Sequence, residues 1–275
     1  EAGGTLAMVI DVEGKTGNGV QTFHTASNTI TSLDASDNLY NSLRWRAKSD
    51  EMVVMRSRID TSFADTSYAI VAWKGVSTAR PTKLVYDFAS DNAVPKDLRV
   101  AGYRAPQWSK DGSTLFFGIA PREPKPVPAG RGTGPNPARV QVWHWKDLRQ
   151  WPAQASGANQ ERTRTQLVAW RPGQEHIVRL GDDKIPNVTL SEDQAAGLVL
   201  DEGPYFMEAI ASARNRRDVY TVDLTTGQRA KVLTRAAAPP SMSPSGRYLT
   251  YTESDEKGGN WFVLERVTAN LFLFL

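Results

Sequence analysis

Apolar and polar residues alternate with a period of two along most of the chain, as they do in half-buried β-strands. The clearest example is residues 106–118, PQWSKDGSTLFFG, in which Trp108 precedes a short polar turn and Leu115 and Phe117 follow on one face. Gly112 tolerates the positive φ that a tight hairpin turn requires. The stretch therefore predicts a β-hairpin.

The same hairpin pattern occurs four times, each with a bulky apolar residue before the turn and alternating apolar residues after it. We call these residues the anchors; they are Trp45 in residues 43–55, Trp108 in 106–118, Leu190 in 188–200 and Met242 in 240–252. Four copies of one strand pair predict the radial repetition of a β-propeller rather than a two-sheet sandwich. We expect the hairpins, numbered 1 to 4, to be equivalent and to form the innermost or next-innermost strands of their blades.

The turns of the four hairpins differ in their glycine content. Hairpins 2 and 4 have Gly112 and Gly246 in the turn, whereas hairpins 1 and 3 have no glycine there. Because glycine adopts positive φ at little cost, the turns of hairpins 1 and 3 are predicted to be looser.

Further alternating segments lie between the hairpins. Strand pairs are predicted within residues 218–234, for 67–75 with 83–89, and for 140–147 with 165–171. Residues 205–214, YFMEAIASAR, fit a helix and a strand equally well. The predicted fold class is all-β: a β-propeller of four-stranded antiparallel blades, with about four blades visible and an incomplete ring.

A proline-rich insertion interrupts the repeats. Residues 121–139 contain six prolines and three glycines and explain why the second and third anchors are far apart. This composition is unsuited to a packed strand, so the segment is predicted to be an exposed, poorly ordered excursion. A ligand for a partner's aromatic groove is the functional alternative. The domain prediction is one propeller over residues 1–275, with this insertion at 121–139.

Composition limits the chemistry of the chain. Lys and Arg exceed Asp and Glu by only 33 to 30, without any basic motif, so no nucleic-acid partner is predicted. Cysteine is absent, which excludes disulfides, thiolate metal sites and a cysteine nucleophile. No apolar run approaches the roughly 18 residues of a membrane helix, and residues 1–14 lack the pattern of a signal peptide. No cofactor or metal site is predicted.

The repeats carry a family resemblance. An apolar residue followed by Trp-Ser-x-Asp-Gly and an alternating strand resembles the WD-like propeller repeats of TolB-type proteins and of the prolyl oligopeptidase family of serine peptidases. The stretch VWHWKD at residues 142–147, after a proline-rich insertion and before LRQWPAQ, resembles the N-terminal propellers of bacterial peptidases in that family.

The resemblance implies a function without catalysis in this chain. In such peptidases the propeller covers an α/β-hydrolase domain with a Ser-Asp-His triad and restricts access to short peptides. The Gly-x-Ser-x-Gly elbow of a hydrolase requires a helix directly after the serine. The nearest match is GVSTA at residues 75–79, where Pro81 and an alternating strand follow Ser77. We therefore predict no catalytic residue here, and a C-terminal hydrolase domain or short peptides as partners.

Other polar residues give weaker signals. His24, His144 and His176 lack metal-ligand spacing, and EGKTG at residues 13–17 lacks the first glycine of a phosphate-binding loop, so it is predicted to be a turn. Related dipeptide-trimming peptidases bind a substrate amino terminus with propeller acids. Glu202 and Glu208 are the candidates for such a role by that resemblance, and solvated loop carboxylates are the alternative.

Two function classes remain. The first is a non-catalytic propeller segment of a prolyl oligopeptidase-type peptidase, and the second is a TolB-like or WD-like propeller that serves as a protein-binding scaffold. The apolar residues 271–275, LFLFL, either complete a blade or mark an early end of the chain. A periplasmic or secreted location is favoured over a cytoplasmic one, although no residue fixes the compartment, the peptide specificity or the oligomeric state.

Overall fold

The structure is a computed structural model of the 275-residue chain. It describes residues 3–14, 16–125, 157, 159–255, 258–268 and 270–274. Within these ranges, twenty strands form five antiparallel sheets, and the strands of each sheet follow one another in the chain.

Each sheet is a meander whose strands pair with their neighbours in sequence. Sheet 1 contains β1 (Thr5–Ile10), β2 (Asn18–His24) and β3 (Thr29–Ser36). Sheet 2 contains β4 (Tyr40–Trp45), β5 (Glu51–Arg58), β6 (Ser67–Lys74) and β7 (Thr82–Tyr86). Sheet 3 contains β8 (Leu98–Val100), β9 (Gln107–Trp108), β10 (Leu115–Pro121), β11 (Gln166–Trp170) and β12 (Val178–Arg179); β8 and β9 both pair with β10 and together form one interrupted edge strand.

The last two sheets have four strands each. Sheet 4 contains β13 (Thr189–Leu190), β14 (Gly197–Asp201), β15 (Arg217–Val222) and β16 (Arg229–Ala236). Sheet 5 contains β17 (Ser241–Met242), β18 (Tyr248–Asp255), β19 (Gly258–Glu265) and β20 (Leu271–Phe274). The predicted pairs β6–β7 and β15–β16 are confirmed. The segment predicted to pair with β11, residues 140–147, lies outside the described residues, and β11 pairs with β10 and β12.

Helical structure is scarce in the described part of the chain. It consists of the 3-10 turns Phe88–Ser90 and Gly203–Tyr205, the helix Phe206–Ser212 (α1) and helical residues at 157 and 159–162. The ambiguous segment 205–214 thus contains a helix rather than a strand. Ala213 ends it in the left-handed conformation, at φ 55°, and its N–H donates to the carbonyl of Ala209 at 2.9 Å.

The four anchored hairpins are equivalent in their strand pairing. In each, the anchor is the last residue of its strand and pairs with the residue seven positions later; the pairs are Trp45–Met52, Trp108–Leu115, Leu190–Gly197 and Met242–Leu249. The residue after each anchor also donates its N–H to the carbonyl five positions on, at 2.8–2.9 Å. The predicted repeat is therefore confirmed. Burial of the anchors differs, since Trp108 is buried and Trp45 is 38% exposed.

The prediction of a looser turn is wrong for hairpin 3. Gln194 adopts φ 56° at the position that Gly112 and Gly246 occupy, and its N–H donates to the carbonyl of Ser191 at 2.8 Å. The two glycines make the equivalent bond at 3.0 and 2.8 Å. Backbone hydrogen bonding thus imposes the same turn on a residue that is strained there. Hairpin 1 does differ, because its left-handed residue is Lys48, one position earlier.

Replacing Gln194 by glycine is expected to stabilise the chain by about 0.5 kcal/mol, as relief of about 1 kcal/mol of left-handed strain exceeds the added entropy of the unfolded chain. Urea unfolding would measure this as a higher midpoint with an unchanged slope. Gln21→Gly, in the middle of β2, is the control. It should destabilise the chain and lower the urea midpoint. A lower midpoint for Gln194→Gly would contradict the strain argument.

Consecutive sheets pack face to face. Tyr86 of sheet 2 contacts Phe117 and Trp170 of sheet 3, with ring centroids 5.6 and 5.5 Å apart. On the opposite face of β10, Phe116 belongs to the apolar cluster that sheet 3 shares with sheet 4, which includes Val199. Similar clusters join sheets 1 and 2 and sheets 4 and 5. Antiparallel meanders stacked in chain order define a β-propeller, and the predicted fold class is confirmed.

Sheet 1 was not among the four hairpins recognised in the sequence. Its first turn, between β1 and β2, contains Gly14 and Gly17 at positive φ but no bulky anchor before it. The sheet is recognisable in space because Val20 and Val9 pack against Met52 and Trp73 of sheet 2. The anchored hairpins therefore correspond to sheets 2–5.

The proline-rich insertion leaves sheet 3 at the end of β10. Ala64 N–H donates to the carbonyl of Glu123 at 2.9 Å, and Arg122 stacks on Phe63 at 3.7 Å from the ring centroid. These contacts tie residues 121–125 to the loop between β5 and β6 of sheet 2. Residues 126–139 lie outside the described residues, as do 142–147 and His144, so the predicted excursion remains a prediction.

One edge strand of sheet 5 is apolar. Leu271–Phe274 form β20, which pairs with β19 over four residues. The side chains of Leu271, Phe272 and Leu273 are each about half exposed.

Candidate functional site

Ser77, in the nearest sequence match to a nucleophile elbow, lies in the turn between β6 and β7. Its Oγ donates to Oδ2 of Asp50 at 2.5 Å, and its backbone N–H donates to the same carboxylate at 2.9 Å. No histidine of the described residues hydrogen-bonds to it. An acceptor carboxylate at this distance fixes the turn but leaves the serine without the imidazole base of a triad.

The histidines that the structure describes have separate partners. Nδ1 of His24 is 3.2 Å from Oγ1 of Thr5 in sheet 1. Nδ1 of His176 is 2.7 Å from Oδ1 of Asp91, whose side chain is fully buried. The Asp91–His176 pair orients an imidazole as a triad does, but no serine hydrogen bond completes it within the described part of the chain. Nor does any group of three or more His, Asp or Glu side chains there form a metal site.

A groove of about 1050 Å³ opens between sheets 3 and 4. It lies at the ends of the strands opposite to the anchored turns, because it is formed by the segments before β11, after β12 and after β14. Its walls carry positive and negative side chains. They are Arg104, Glu161, Arg164, Asp183, Lys184, Asp201 and Glu202. Tyr103, Leu200 and Phe206 supply apolar surface. Mixed apolar and charged walls are suited to a peptide.

The structure places the two candidate acids differently. Glu202 is exposed and lines the groove, where its Oε1 is 3.2 Å from Nη1 of Arg217. Glu208 lies on α1 and pairs with Arg235 at 2.6 Å, and it is absent from the groove wall. Of these candidates, Glu202 alone is therefore positioned to meet a ligand in the groove. Its role as a substrate-binding residue remains a prediction.

Asp218 holds the loop that carries Glu202 against sheet 4. Its buried carboxylate accepts hydrogen bonds from the Tyr205 hydroxyl at 2.6 Å, from Lys231 at 2.5 Å and from the Arg235 N–H at 3.0 Å. Burial acts to raise the pKa of Asp218, but the bonds from Lys231, Tyr205 and Arg235 outweigh it and the pKa is lowered. Asp218 stays ionised and fixes the rim of the groove.

Sequence patterns did not single out Arg104, which lines the groove, or Asp218, which hydrogen-bonds to Tyr205 beside its rim. Asp218 is the second residue of β15, and its burial, which makes the carboxylate need partners, is known only from the structure. Arg104 falls in the interruption between β8 and β9, where no regular pattern operates. Lys231 contacts Asp218 across the paired strands β15 and β16, whereas Thr165 is 61 residues from Arg104 and meets it only within the folded sheet 3.

A second, smaller cleft of about 500 Å³ lies among the anchored turns of sheets 3 and 4. Its lining includes Lys110, Asp111, Arg171, Asp193 and Arg266. Most of these charges already have protein partners, such as Lys110 with Asp193 at 3.0 Å and Arg171 with Thr225 at 2.8 Å. The cleft is therefore a weaker candidate for a ligand. Among the described helices, none is long and apolar enough to cross a membrane.

The sheets define a β-propeller, and a polar groove opens between sheets 3 and 4. No family model matches the chain, and no curated protein sequence does. Matching solved structures include TolB from Acinetobacter baumannii, at 13% identity over 95% of this chain and 61% of that one, with a TM-score of 0.27. The β-propeller domain of the Trilobed protease from Pyrococcus furiosus matches at 11% identity, 99% and 68% coverage and TM-score 0.41.

A Mycobacterium tuberculosis puromycin-hydrolyzing peptidase matches at 15% identity over 96% of this chain, with a TM-score of 0.36. This chain spans 61% of the length of TolB and 33% of that peptidase. A TolB protein and a protease propeller domain are thus among the solved structures that match this chain. At such low identities and TM-scores the matches indicate no activity, and the fold is defined by the chain's own sheets.

Proposed function

We propose that this chain is a non-catalytic propeller segment of a prolyl oligopeptidase-type serine peptidase, which limits the access of peptides to a hydrolase domain. The observation that carries the proposal is the groove between sheets 3 and 4. It is open, holds about 1050 Å³ and combines apolar surface with charges of both signs, which can contact the side chains and the charged termini of a short peptide. The assignment to a peptidase rests on the resemblance of the sequence repeats to the propellers of the prolyl oligopeptidase family.

The chain path supports the same assignment. Residues 122–165 leave sheet 3 at the end of β10 and return at the start of β11, which is the end where the groove opens. The points where the chain leaves β10 and re-enters β11 therefore lie at the end of the sheet where the groove opens. We infer a single domain over residues 1–275, in which this end, with Glu202 at its rim, meets the peptide and the hydrolase. A periplasmic or secreted location is part of this proposal.

Ser77 is the residue whose reactivity tests the non-catalytic part. We expect that a fluorophosphonate probe leaves the purified chain unlabelled and that short chromogenic peptides are not hydrolysed, because Asp50 rather than an imidazole holds Ser77. Ser77→Ala is the matched control. Stoichiometric labelling that Ser77→Ala abolishes, together with turnover, would refute the proposal.

A protein-binding scaffold of the TolB-like kind is the second candidate function. The observation in its favour is the apolar surface of sheet 5, where Trp261, Leu271, Phe272 and Leu273 are all at least half exposed. The reading frame that encodes this chain separates the two candidates. A Gly-x-Ser-x-Gly elbow between a strand and a helix elsewhere in that frame would favour the peptidase, and its absence would favour the scaffold.

A further inference from the structure

Arg104 is a half-buried cation in the wall of the groove. Its Nε donates to Oγ1 of Thr165 at 3.2 Å. No other hydrogen bond or ion pair engages its side chain among the residues that the structure describes. The neighbouring Arg164 differs, because it pairs with Glu161 at 2.9 Å and donates to the carbonyl of Asp183 at 3.0 Å.

The position of Arg104 depends on a glycine beneath it. A Cβ on Gly118 of β10 would lie 2.8 Å from Thr165 Cβ and Oγ1 and 2.9 Å from Arg104 Cβ. The side chains of Thr165 and Arg104 thus lie close together over the space that Gly118 leaves open. This packing and the bond to Thr165, which is itself buried, hold the guanidinium in place before any ligand arrives.

Burial of an unpaired cation has a free-energy cost that an anion in the groove would offset. Burial lowers the pKa of Arg104, because desolvation disfavours the charged guanidinium. With Nε bonded to Thr165, the two terminal nitrogens remain available for the two oxygens of a carboxylate, which the planar guanidinium can bind in a bidentate manner.

The groove also carries charges of the opposite sign. Asp201 and Glu202 line it, at the end of β14 and directly after it. A zwitterionic ligand would therefore find a cation and carboxylates in the same groove. Short peptides are ligands of this kind.

We propose that Arg104 forms a carboxylate-binding subsite of the groove, which takes a carboxylate of a short peptide at its C-terminus or on an acidic side chain. This inference rests on the proposed peptide-access function and specifies which group of the peptide the propeller recognises.

Isothermal titration calorimetry of the whole chain with matched peptides tests the subsite. The probes are Ala-Ala-Phe, its C-terminal amide, and Ala-Glu-Phe amide, which distinguish a terminal from a side-chain carboxylate. Because a charge-assisted hydrogen bond contributes about 1.5–3 kcal/mol, we expect Ala-Ala-Phe amide to bind at least about tenfold more weakly than the tighter of the two carboxylate-bearing probes.

Variants assign the effect to Arg104. Arg104→Met should reduce the preference for carboxylate over amide to near unity, and Arg104→Lys should retain part of it because the charge remains but the bidentate fork is lost. Arg80→Met is the control, since Arg80 is exposed in the turn between β6 and β7 with no described partner, and it should keep the wild-type preference. Thermal unfolding of each variant reports whether it is folded.

Each outcome decides the inference. Equal binding of acid and amide by the wild type, or an unchanged preference in Arg104→Met, would refute the carboxylate subsite while peptide binding itself stands. Failure of all three peptides to bind the wild type would refute the subsite and the peptide-access function together. If Arg104→Met does not fold, the acid-to-amide comparison in the wild type and the Arg104→Lys variant still decide the question.

Discussion

Replacing Asp91 by alanine is expected to lower the free energy of unfolding by about 3–4 kcal/mol, because it removes a fully buried carboxylate that satisfies several donors at once. Oδ2 accepts the hydroxyl of Tyr86 at 2.8 Å and the N–H of Ile177 at 3.3 Å. Oδ1 is bonded to Nδ1 of His176 at 2.7 Å and to the N–H of Ala93 at 3.0 Å. These bonds join the segment after β7 of sheet 2 to the turn before β12 of sheet 3, so the loss weakens an interface between sheets.

A second aspartate provides the control for this substitution. Asp223 accepts the N–H groups of Thr225 and Thr226 at 2.7 and 3.0 Å in the exposed turn between β15 and β16. Asp223→Ala should lower the free energy of unfolding by only about 1 kcal/mol, since water can replace the carboxylate as the hydrogen-bond acceptor there. Guanidinium unfolding measures both values. Equal losses in the two variants would show that the Asp91 network does not join the sheets.

The Asp91 carboxylate should also make stability depend on pH. Burial acts to raise its pKa, but the hydrogen bonds from His176, Tyr86, Ala93 and Ile177 outweigh burial and hold the pKa below its ordinary value. A carboxyl group with a lowered folded pKa contributes stability that is complete above the unfolded pKa of about 3.9 and is lost as pH falls below it. The advantage of the wild type over Asp91→Asn should therefore shrink below about pH 4.

The anchored hairpins could be predicted from the sequence because a hairpin is a local structure. Alternation, a bulky anchor and a short polar turn lie within thirteen residues of chain, as in residues 106–118. The same reasoning fails at Gln194, since its left-handed φ follows from the hydrogen bonds of the turn rather than from its own preference. The sequence pattern predicts which strands pair in the hairpins. Residue type alone predicts the backbone conformation of only some of the turns.

The groove and the network of Asp91 could not be predicted in this way. Asp91 and His176 are 85 residues apart, and Arg104 and Thr165 are 61 apart. Alternation predicts which side of a strand is buried but not which sheet covers it. Glu202 is a candidate by family resemblance alone. Its position in the groove wall depends on the 3-10 turn Gly203–Tyr205 that follows it and on the hydrogen bond between Tyr205 and Asp218.

The anchored turns also contact one another from sheet to sheet. Nη1 of Arg46 in hairpin 1 donates to the carbonyl of Lys110 in hairpin 2 at 2.7 Å. Nζ of Lys110 in turn lies 3.0 Å from Oδ1 of Asp193 in hairpin 3, and the N–H of Asp193 donates to the carbonyl of Pro244 in hairpin 4 at 2.9 Å. Each anchored turn therefore contacts the turn of the next sheet. Small residues in these turns allow neighbouring turns to approach each other closely.

Replacing Gly246 by alanine should consequently destabilise the chain by about 2–4 kcal/mol, the sum of left-handed strain and overpacking. Gly246 has φ 69°, and a Cβ there would lie 2.5 Å from Cβ of Ala196 in sheet 4. The contact involves an atom attached directly to the backbone, so rotation of a side chain cannot relieve it. The turn of hairpin 4 would have to move away from sheet 4, which weakens the contact between the sheets.

Gly173→Ala separates the two contributions to that loss. Gly173 also has positive φ, 96°, but no heavy atom lies within 4 Å of the position that a Cβ would take. The Gly173→Ala substitution should therefore lower the free energy of unfolding by only about 1 kcal/mol, through backbone strain. Urea unfolding of both variants measures the difference, which we attribute to the contact of Gly246 with Ala196. If both variants lost the same free energy, the close approach of the turn to sheet 4 would contribute nothing and backbone strain would explain the whole effect.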